Sequence, residues 1–121
     1  MSAATVIAVG LIGGLGAVAR LLVDGAVSAR VPITFPIGTF VVNMAGSLAL
    51  GLLAGITTDV EVLRLVATGF LGSFTTFSTW MFESQRLAED GEGGPTIANV
   101  AFSLVAGVAL AWIGVQIGGL T

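Results

Sequence analysis

The chain has 121 residues, of which 55% are hydrophobic, 9% are charged and 18 are glycine. A soluble domain carries charge on about a quarter of its residues, so this composition and the mean hydropathy of +1.06 indicate a single-domain protein of the lipid bilayer. The net charge of −3 offers no basic surface for nucleic acid. The sequence also lacks histidine and cysteine, the commonest general base and metal ligands, which argues against an enzyme.

Four apolar windows of about 20 residues each predict four transmembrane helices. They run from about Thr5 to Val23, from Ile37 to Ile56, from Leu65 to Phe82 and from Ile97 to Gly118. We therefore expect an all-α membrane protein with one four-helix domain and both termini on the same side. The arginines differ by about one charge between the two sides, so dual insertion and a single orientation are equally compatible with the sequence.

The first helix carries a stripe of small residues and one charged side chain. Gly10 and Gly14 lie four residues apart, which allows a second helix to approach closely, within the subunit or across a dimer. Arg20 lies inside the apolar run, about one turn from its end. A charge in a membrane span is costly and marks a functional candidate, although a long side chain can also reach the interface. Its positive sign favours an anionic substrate.

The second helix combines a small-residue stripe with a polar side chain. Ser47, Gly51 and Gly55 repeat every four residues, and Asn43 can donate two hydrogen bonds through its amide. Either a substrate or a neighbouring helix can accept those bonds. Because four short helices enclose little interior, we expect the protein to oligomerise.

The third helix carries the strongest functional pattern, because five of the seven residues from Ser73 to Thr79 bear a hydroxyl group. Together with Gly72, these residues weaken the helix and predict a break near the middle of the membrane. Backbone carbonyls freed by a break are tolerated in a cavity, where they can bind a cation. Phe77 and Trp80 share a helix face and can present ring edges, which carry partial positive charge, to an anion.

Polar residues continue this pattern at two further places. Glu83 closes the third helix, and Ser103 lies one turn after Asn99 on the same face of the fourth helix. Asn99 and Ser103 can extend a polar track, although a serine that bonds back to its own helix is the commoner arrangement.

Three motifs, in order in three of the four helices, closely resemble those of the small fluoride channels known as the Fluc or CrcB family. They are Gly13-Gly14-x-Gly16-Ala17-x-x-Arg20, Gly38-Thr39-x-x-x-Asn43-x-x-Gly46-Ser47 and Gly69-Phe70-x-Gly72-Ser73-Phe74-Thr75-Thr76-Phe77-Ser78-Thr79.

The resemblance implies an antiparallel homodimer in the cell (inner) membrane. Its two pores would export toxic fluoride passively, with dual topology of the subunits. It also implies a structural sodium ion between the subunits, held by the backbone carbonyls of Gly72 and Ser73. The residues implied for the fluoride path are Asn43, Phe77, Trp80, Ser78, Thr79, Ser103, Glu83 and Arg20.

The chain departs from the family pattern at two positions. The second aromatic of the pair is usually phenylalanine, whereas Trp80 is larger and carries an N–H donor. Gly107 stands one turn after Ser103, where some members continue the hydroxyl track, so the exit half of the path is expected to differ.

Two other functions compete with the channel. A proton-coupled exporter of the small multidrug-resistance type has about this length, but it needs a carboxylate within the first helix, where the predicted span has none. A non-conducting membrane assembly subunit needs only the glycine stripes. That second alternative leaves the hydroxyl cluster and Arg20 without a role.

Overall fold

A computed structural model describes residues 1–121 and contains four long helices. We number them α1 (Ala3–Arg30), α2 (Ile37–Ile56), α3 (Val60–Glu89) and α4 (Gly93–Gly118). Each is long and apolar enough to cross a membrane. The all-α fold with four membrane helices is therefore confirmed.

Helix α1 is longer than the sequence predicts, because it continues to Arg30 instead of ending near Val23. Asp24 does not stop the helix. Its carboxylate accepts a hydrogen bond of 3.2 Å from the Ser28 hydroxyl one turn later, and the Arg30 guanidinium donates to the Ala26 carbonyl in the last turn. Polar side chains that satisfy one another in this way let the helix extend beyond its apolar run.

A tight turn joins α3 to α4. Gly91 adopts a positive φ of 77°, and the Glu92 N–H donates to the Leu87 carbonyl at 2.8 Å, which caps the end of α3. Only a few residues are needed for this reversal. Helix α4 consequently begins at Gly93, earlier than the predicted Ile97.

Helix α3 is broken, as the sequence predicts. Its first half contains a π-helical segment, Leu63–Leu71, followed by the short turn Gly72–Phe74. Its second half is the α-helix Phe77–Glu89. The two residues between the halves are extended, with φ/ψ of −78°/158° at Thr75 and −147°/117° at Thr76. The break thus lies just after the predicted Gly72.

Small residues bring α2 and α4 into direct backbone contact. A β-carbon at Gly51 would overlap the Ala111 carbonyl, and one at Gly114 would lie 2.6 Å from the Leu48 carbonyl oxygen. The glycine stripe of α2 therefore serves packing within the subunit.

Helix α1 packs on the first half of α3 through a different pair of glycines from the stripe noted in the sequence. A β-carbon at Gly16 would overlap the Phe70 carbonyl, and one at Gly13 would lie 3.1 Å from the Ser73 hydroxyl oxygen. Gly10 and Gly14 have no atom within 4 Å of that position. Their stripe is open within a single subunit.

This contact predicts a clear difference between neighbouring glycines. We expect Gly16→Ala to destabilise the protein by about 1–3 kcal/mol, because a new methyl group must push the Phe70 backbone away. The matched variant Gly14→Ala has free space and should keep the wild-type stability. The thermal midpoint of both variants in the same detergent measures the effect, and equal midpoints would contradict the packing described here.

Candidate functional site

The break in α3 is stabilised by its own threonine hydroxyls. The Thr75 N–H and hydroxyl both donate to the Leu71 carbonyl at 3.0 Å and thereby end the first half. The Thr76 hydroxyl oxygen accepts from the Thr79 N–H at 3.2 Å and caps the N-terminus of the second half. The hydroxyl cluster therefore shapes the backbone of the break.

Asn43 of α2 holds the break from the side. Its amide nitrogen donates to the Thr76 carbonyl at 3.0 Å, and its amide oxygen accepts from the Thr76 N–H at 2.8 Å. This pair replaces the two backbone hydrogen bonds that Thr76 loses by leaving the helix. One N–H of the Asn43 amide has no partner and remains available as a donor.

Arg20 reaches the break from the opposite side. Its guanidinium Nε donates to the Ser73 carbonyl over 3.4 Å, and the side chain is half-buried. The positive charge of Arg20 thus faces a carbonyl that has lost its helical partner. Arg20 therefore contacts the break within the subunit.

A first cavity of about 440 Å³ lies beside the break. Thr76 reaches it from the break, Asn43 from α2 and Ser103 from α4. Most of the remaining wall is apolar or glycine. Gly72, Phe77 and Trp80 also line it.

Two of the aromatic rings of α3, those of Phe77 and Trp80, meet at this cavity. The rings of Phe77 and Trp80 are 5.5 Å apart between centroids and form an 82° angle, so the edge of one ring faces the other. Phe77 is 70% exposed in the single subunit. The cavity wall on the Phe77 side therefore remains open to whatever lies next to the protein.

The second half of α3 is hydrogen-bonded to α4 at Trp80. The indole N–H of Trp80 donates to the Asn99 backbone carbonyl at 3.0 Å, and the Asn99 amide donates to the Ser84 hydroxyl at 2.7 Å. Asn99 is 1% exposed. Its amide oxygen also accepts from the Ser103 hydroxyl at 3.4 Å, a long and therefore weak bond.

A second cavity of about 510 Å³ lies between the α1–α2 connection and the second half of α3. Thr79 and Glu83 line it, together with Phe82 and Arg86. The Arg86 guanidinium carbon lies 5.8 Å from the centre of the Phe82 ring, a cation–π contact. Thr79 lines the second cavity and the adjacent Trp80 lines the first, so the same turn of α3 borders both cavities.

Two buried polar atoms have no hydrogen-bond partner: the hydroxyl oxygen of Thr39 and one carboxylate oxygen of Glu83. Buried polar atoms are nearly always paired with protein, water or an ion. Thr39 and Glu83 thus supply polar groups to which a bound water or ion can pair.

The structure divides the ten residues singled out in the sequence into three groups. The first cavity is lined by Asn43, Gly72, Phe77, Trp80 and Ser103. The second is lined by Thr79 and Glu83. Three residues line neither cavity, namely Arg20, Ser73 and Ser78. Ser78 is exposed, and its hydroxyl lies 3.5 Å from that of Thr76.

Three residues that matter here have no individual role predicted from the sequence, namely Thr76, Ser84 and Thr39. Thr76 had a visible signal, because a threonine directly before a helical segment is a common N-cap. Ser84 and Thr39 had none, since a single hydroxyl in an apolar helix most often bonds back to its own backbone. Their importance depends on neighbours that only the fold supplies.

A family sequence profile and the sequences of related proteins both match this chain. Residues 7–115 match the sequence profile of the family described as CrcB-like protein, Camphor Resistance (CrcB). A protein of Mycolicibacterium paratuberculosis named fluoride-specific ion channel FluC 2 is 47% identical over 94% of this chain and 93% of its own length. The protein of that name from Mycobacterium bovis is 49% identical over 89% of this chain and 86% of its own. A fluoride-specific ion channel FluC of Nitratidesulfovibrio vulgaris is 40% identical over 95% and 97%, respectively.

Proposed function

The chain belongs to the CrcB family, and on this premise we propose that it is a fluoride-selective ion channel of the cell membrane. It lets fluoride leave the cell passively and so relieves fluoride toxicity. The observation that carries the proposal is the aromatic pair Phe77 and Trp80, which meets at a cavity beside a broken membrane helix. Its relatives are named as ion channels, and a channel is not an enzyme.

The break provides donors that a small anion needs. Fluoride holds its water strongly, so a pore must replace that water with closely placed hydrogen-bond donors. The N-terminus of the second half of α3 carries partial positive charge, and Thr76 and Phe77 bring this helix end to the first cavity. The unpaired N–H of Asn43 and the edges of the two aromatic rings add to it.

The two cavities suggest the course of the path. An ion that enters the second cavity meets Thr79 and Glu83, and past the same turn of α3 it reaches Phe77 and Trp80 at the first cavity. Ser103 then offers a hydroxyl on α4. The exposed hydroxyl of Ser78 supplies a further donor, while Arg20 adds positive charge behind the break.

We infer that a second copy of the chain completes the pathway. Only 15 of the 121 residues are buried in one subunit, and Phe77, a wall residue of the first cavity, is mostly exposed. A lipid chain against this wall would leave the cavity open to hydrocarbon. An antiparallel partner, inserted with dual topology, would close two equivalent pores by symmetry.

Gly72 and Ser73 are the two residues expected to hold a structural sodium ion between the subunits, and Gly72 is the better suited of the two. The Gly72 carbonyl receives no N–H from Thr76, which donates to Asn43 instead, and Gly72 is exposed in the single subunit. The Ser73 carbonyl already faces the Arg20 guanidinium, whose charge would repel a cation. We therefore propose Gly72 as the principal sodium contact and Ser73 as a weaker one; a bound ion would tie the two breaks together.

Fluoride efflux from liposomes that contain only the purified chain tests the proposed function. We expect rapid loss of fluoride and no loss of chloride, each recorded with an ion-selective electrode. Release of both anions would contradict selectivity. Retention of both, with the protein correctly inserted, would favour a non-conducting assembly subunit. A proton-coupled exporter would instead show transport that depends on a pH gradient.

The sodium proposal predicts the behaviour of Gly72→Val. A β-carbon at Gly72 meets only the Ala67 carbonyl at 3.5 Å, an ordinary contact, so the subunit itself should fold. We expect the variant to lose the gain in dimer stability that sodium gives over potassium, measured by size-exclusion chromatography in detergent. Gly94→Val is the control, because it adds the same side chain at an open position at the start of α4, away from the α1 stripe that a partner can approach. A wild-type sodium effect in Gly72→Val would contradict the site.

A further inference from the structure

Trp80 brings an N–H group to a position where the family usually has phenylalanine, and the structure indicates how that group is used. The indole N–H donates to the Asn99 backbone carbonyl at 3.0 Å. Asn99 is almost completely buried and does not line the first cavity. The ring edge that carries the nitrogen thus faces away from the cavity that the ring lines.

The contact is part of a closed set of hydrogen bonds. The Asn99 amide donates to the Ser84 hydroxyl oxygen at 2.7 Å, and the Ser84 hydroxyl donates to the Trp80 backbone carbonyl at 2.8 Å. With the indole bond, these form a closed cycle of hydrogen bonds through Trp80, Ser84 and Asn99. This cycle joins the second half of α3 to α4 at the level of the aromatic pair.

We infer that Asn99 and Ser84 are positioning residues that fix the indole of Trp80, so that its carbon edge, and not its N–H, faces the permeating anion. The inference rests on the proposed function for the identity of the anion. It assigns a purpose to the departure from phenylalanine, because the extra N–H stabilises the wall of the path instead of binding the ion. Trp80 then acts in the same way as a phenylalanine, through its ring edge.

The free energy of hydrogen bonding favours an indole N–H that stays bonded to the Asn99 carbonyl. A buried amide such as that of Asn99 is costly unless it is paired, and a closed set of bonds within one low-dielectric contact is stronger than separate ones. An indole N–H already engaged at 3.0 Å has no second hydrogen for an ion. For fluoride to take it, the Asn99 carbonyl would have to give up this bond.

Nuclear magnetic resonance of the indole groups tests the inference on the full-length protein in detergent. The chain has two tryptophans, Trp80 and Trp112, and Trp112 is 64% exposed on α4. Labelling with ¹⁵N-indole therefore gives two N–H signals, and Trp112→Phe assigns them. We expect the Trp80 signal to remain unshifted when sodium chloride is replaced by sodium fluoride.

Two variants provide a second test of the positioning role. Ser84→Ala and Asn99→Ala should shift or broaden the Trp80 signal and leave the Trp112 signal in place, which also indicates that the protein is folded. An unchanged Trp80 signal in both folded variants would overturn the positioning role. Should neither variant fold, the fluoride titration of the wild type decides alone, because a saturable downfield shift of the Trp80 N–H would identify it as an anion donor.

The two possible failures can be distinguished. A chain that passes no fluoride refutes the proposed function, whatever the indole signals do. A chain that passes fluoride selectively while the Trp80 N–H signal moves with fluoride keeps the proposed function and overturns this inference.

Discussion

Asn43→Asp should reduce fluoride efflux about 100-fold or more. The new carboxylate cannot donate to the Thr76 carbonyl, so the 3.0 Å bond is replaced by two oxygen atoms that repel each other, at a cost of about 1–3 kcal/mol. It also places a negative charge at the first cavity, where a like charge about 4 Å away is worth several kcal/mol at an intermediate dielectric constant. An added barrier of about 3 kcal/mol corresponds to the expected loss.

Two further variants separate the causes of this loss. Asn43→Leu removes both hydrogen bonds to Thr76 without adding charge, and we expect it to fall between the wild type and the aspartate. Ser47→Ala changes another lining residue of the same cavity and should conduct normally. Ion-selective electrode recordings at equal protein-to-lipid ratios provide the comparison, and wild-type efflux in Asn43→Asp would remove Asn43 from the path.

Most of the fold could be predicted because membrane helices are determined by local composition. Apolar length alone located α2, and the hydroxyl cluster located the break of α3 to within a few residues. The end of α1 was missed because the criterion was hydropathy. The helix continues through Asp24 and Ser28, whose side chains satisfy each other.

The site was predicted less completely because its geometry depends on contacts between helices. The sequence identified Asn43 and Arg20 as candidates, but not that each binds a carbonyl of the α3 break. The sequence left open whether the N–H of Trp80 faces an ion. The hydrogen bond from this N–H to the Asn99 carbonyl, on the neighbouring helix, indicates that the N–H does not face one.

The aromatic pair gives a second large effect, because its contribution depends on ring electrostatics rather than on size alone. Phe77→Ile keeps an apolar side chain but removes the ring edge that Phe77 presents beside Trp80. We expect efflux to fall at least about tenfold, equivalent to about 1.4 kcal/mol, since a ring-edge contact contributes on that scale. The variant should fold, because Phe77 is 70% exposed and supports little of the packing within a subunit. Phe102→Ile, which loses a ring outside both cavities, should conduct like the wild type; equal efflux from all three proteins would mean that the anion does not pass the rings.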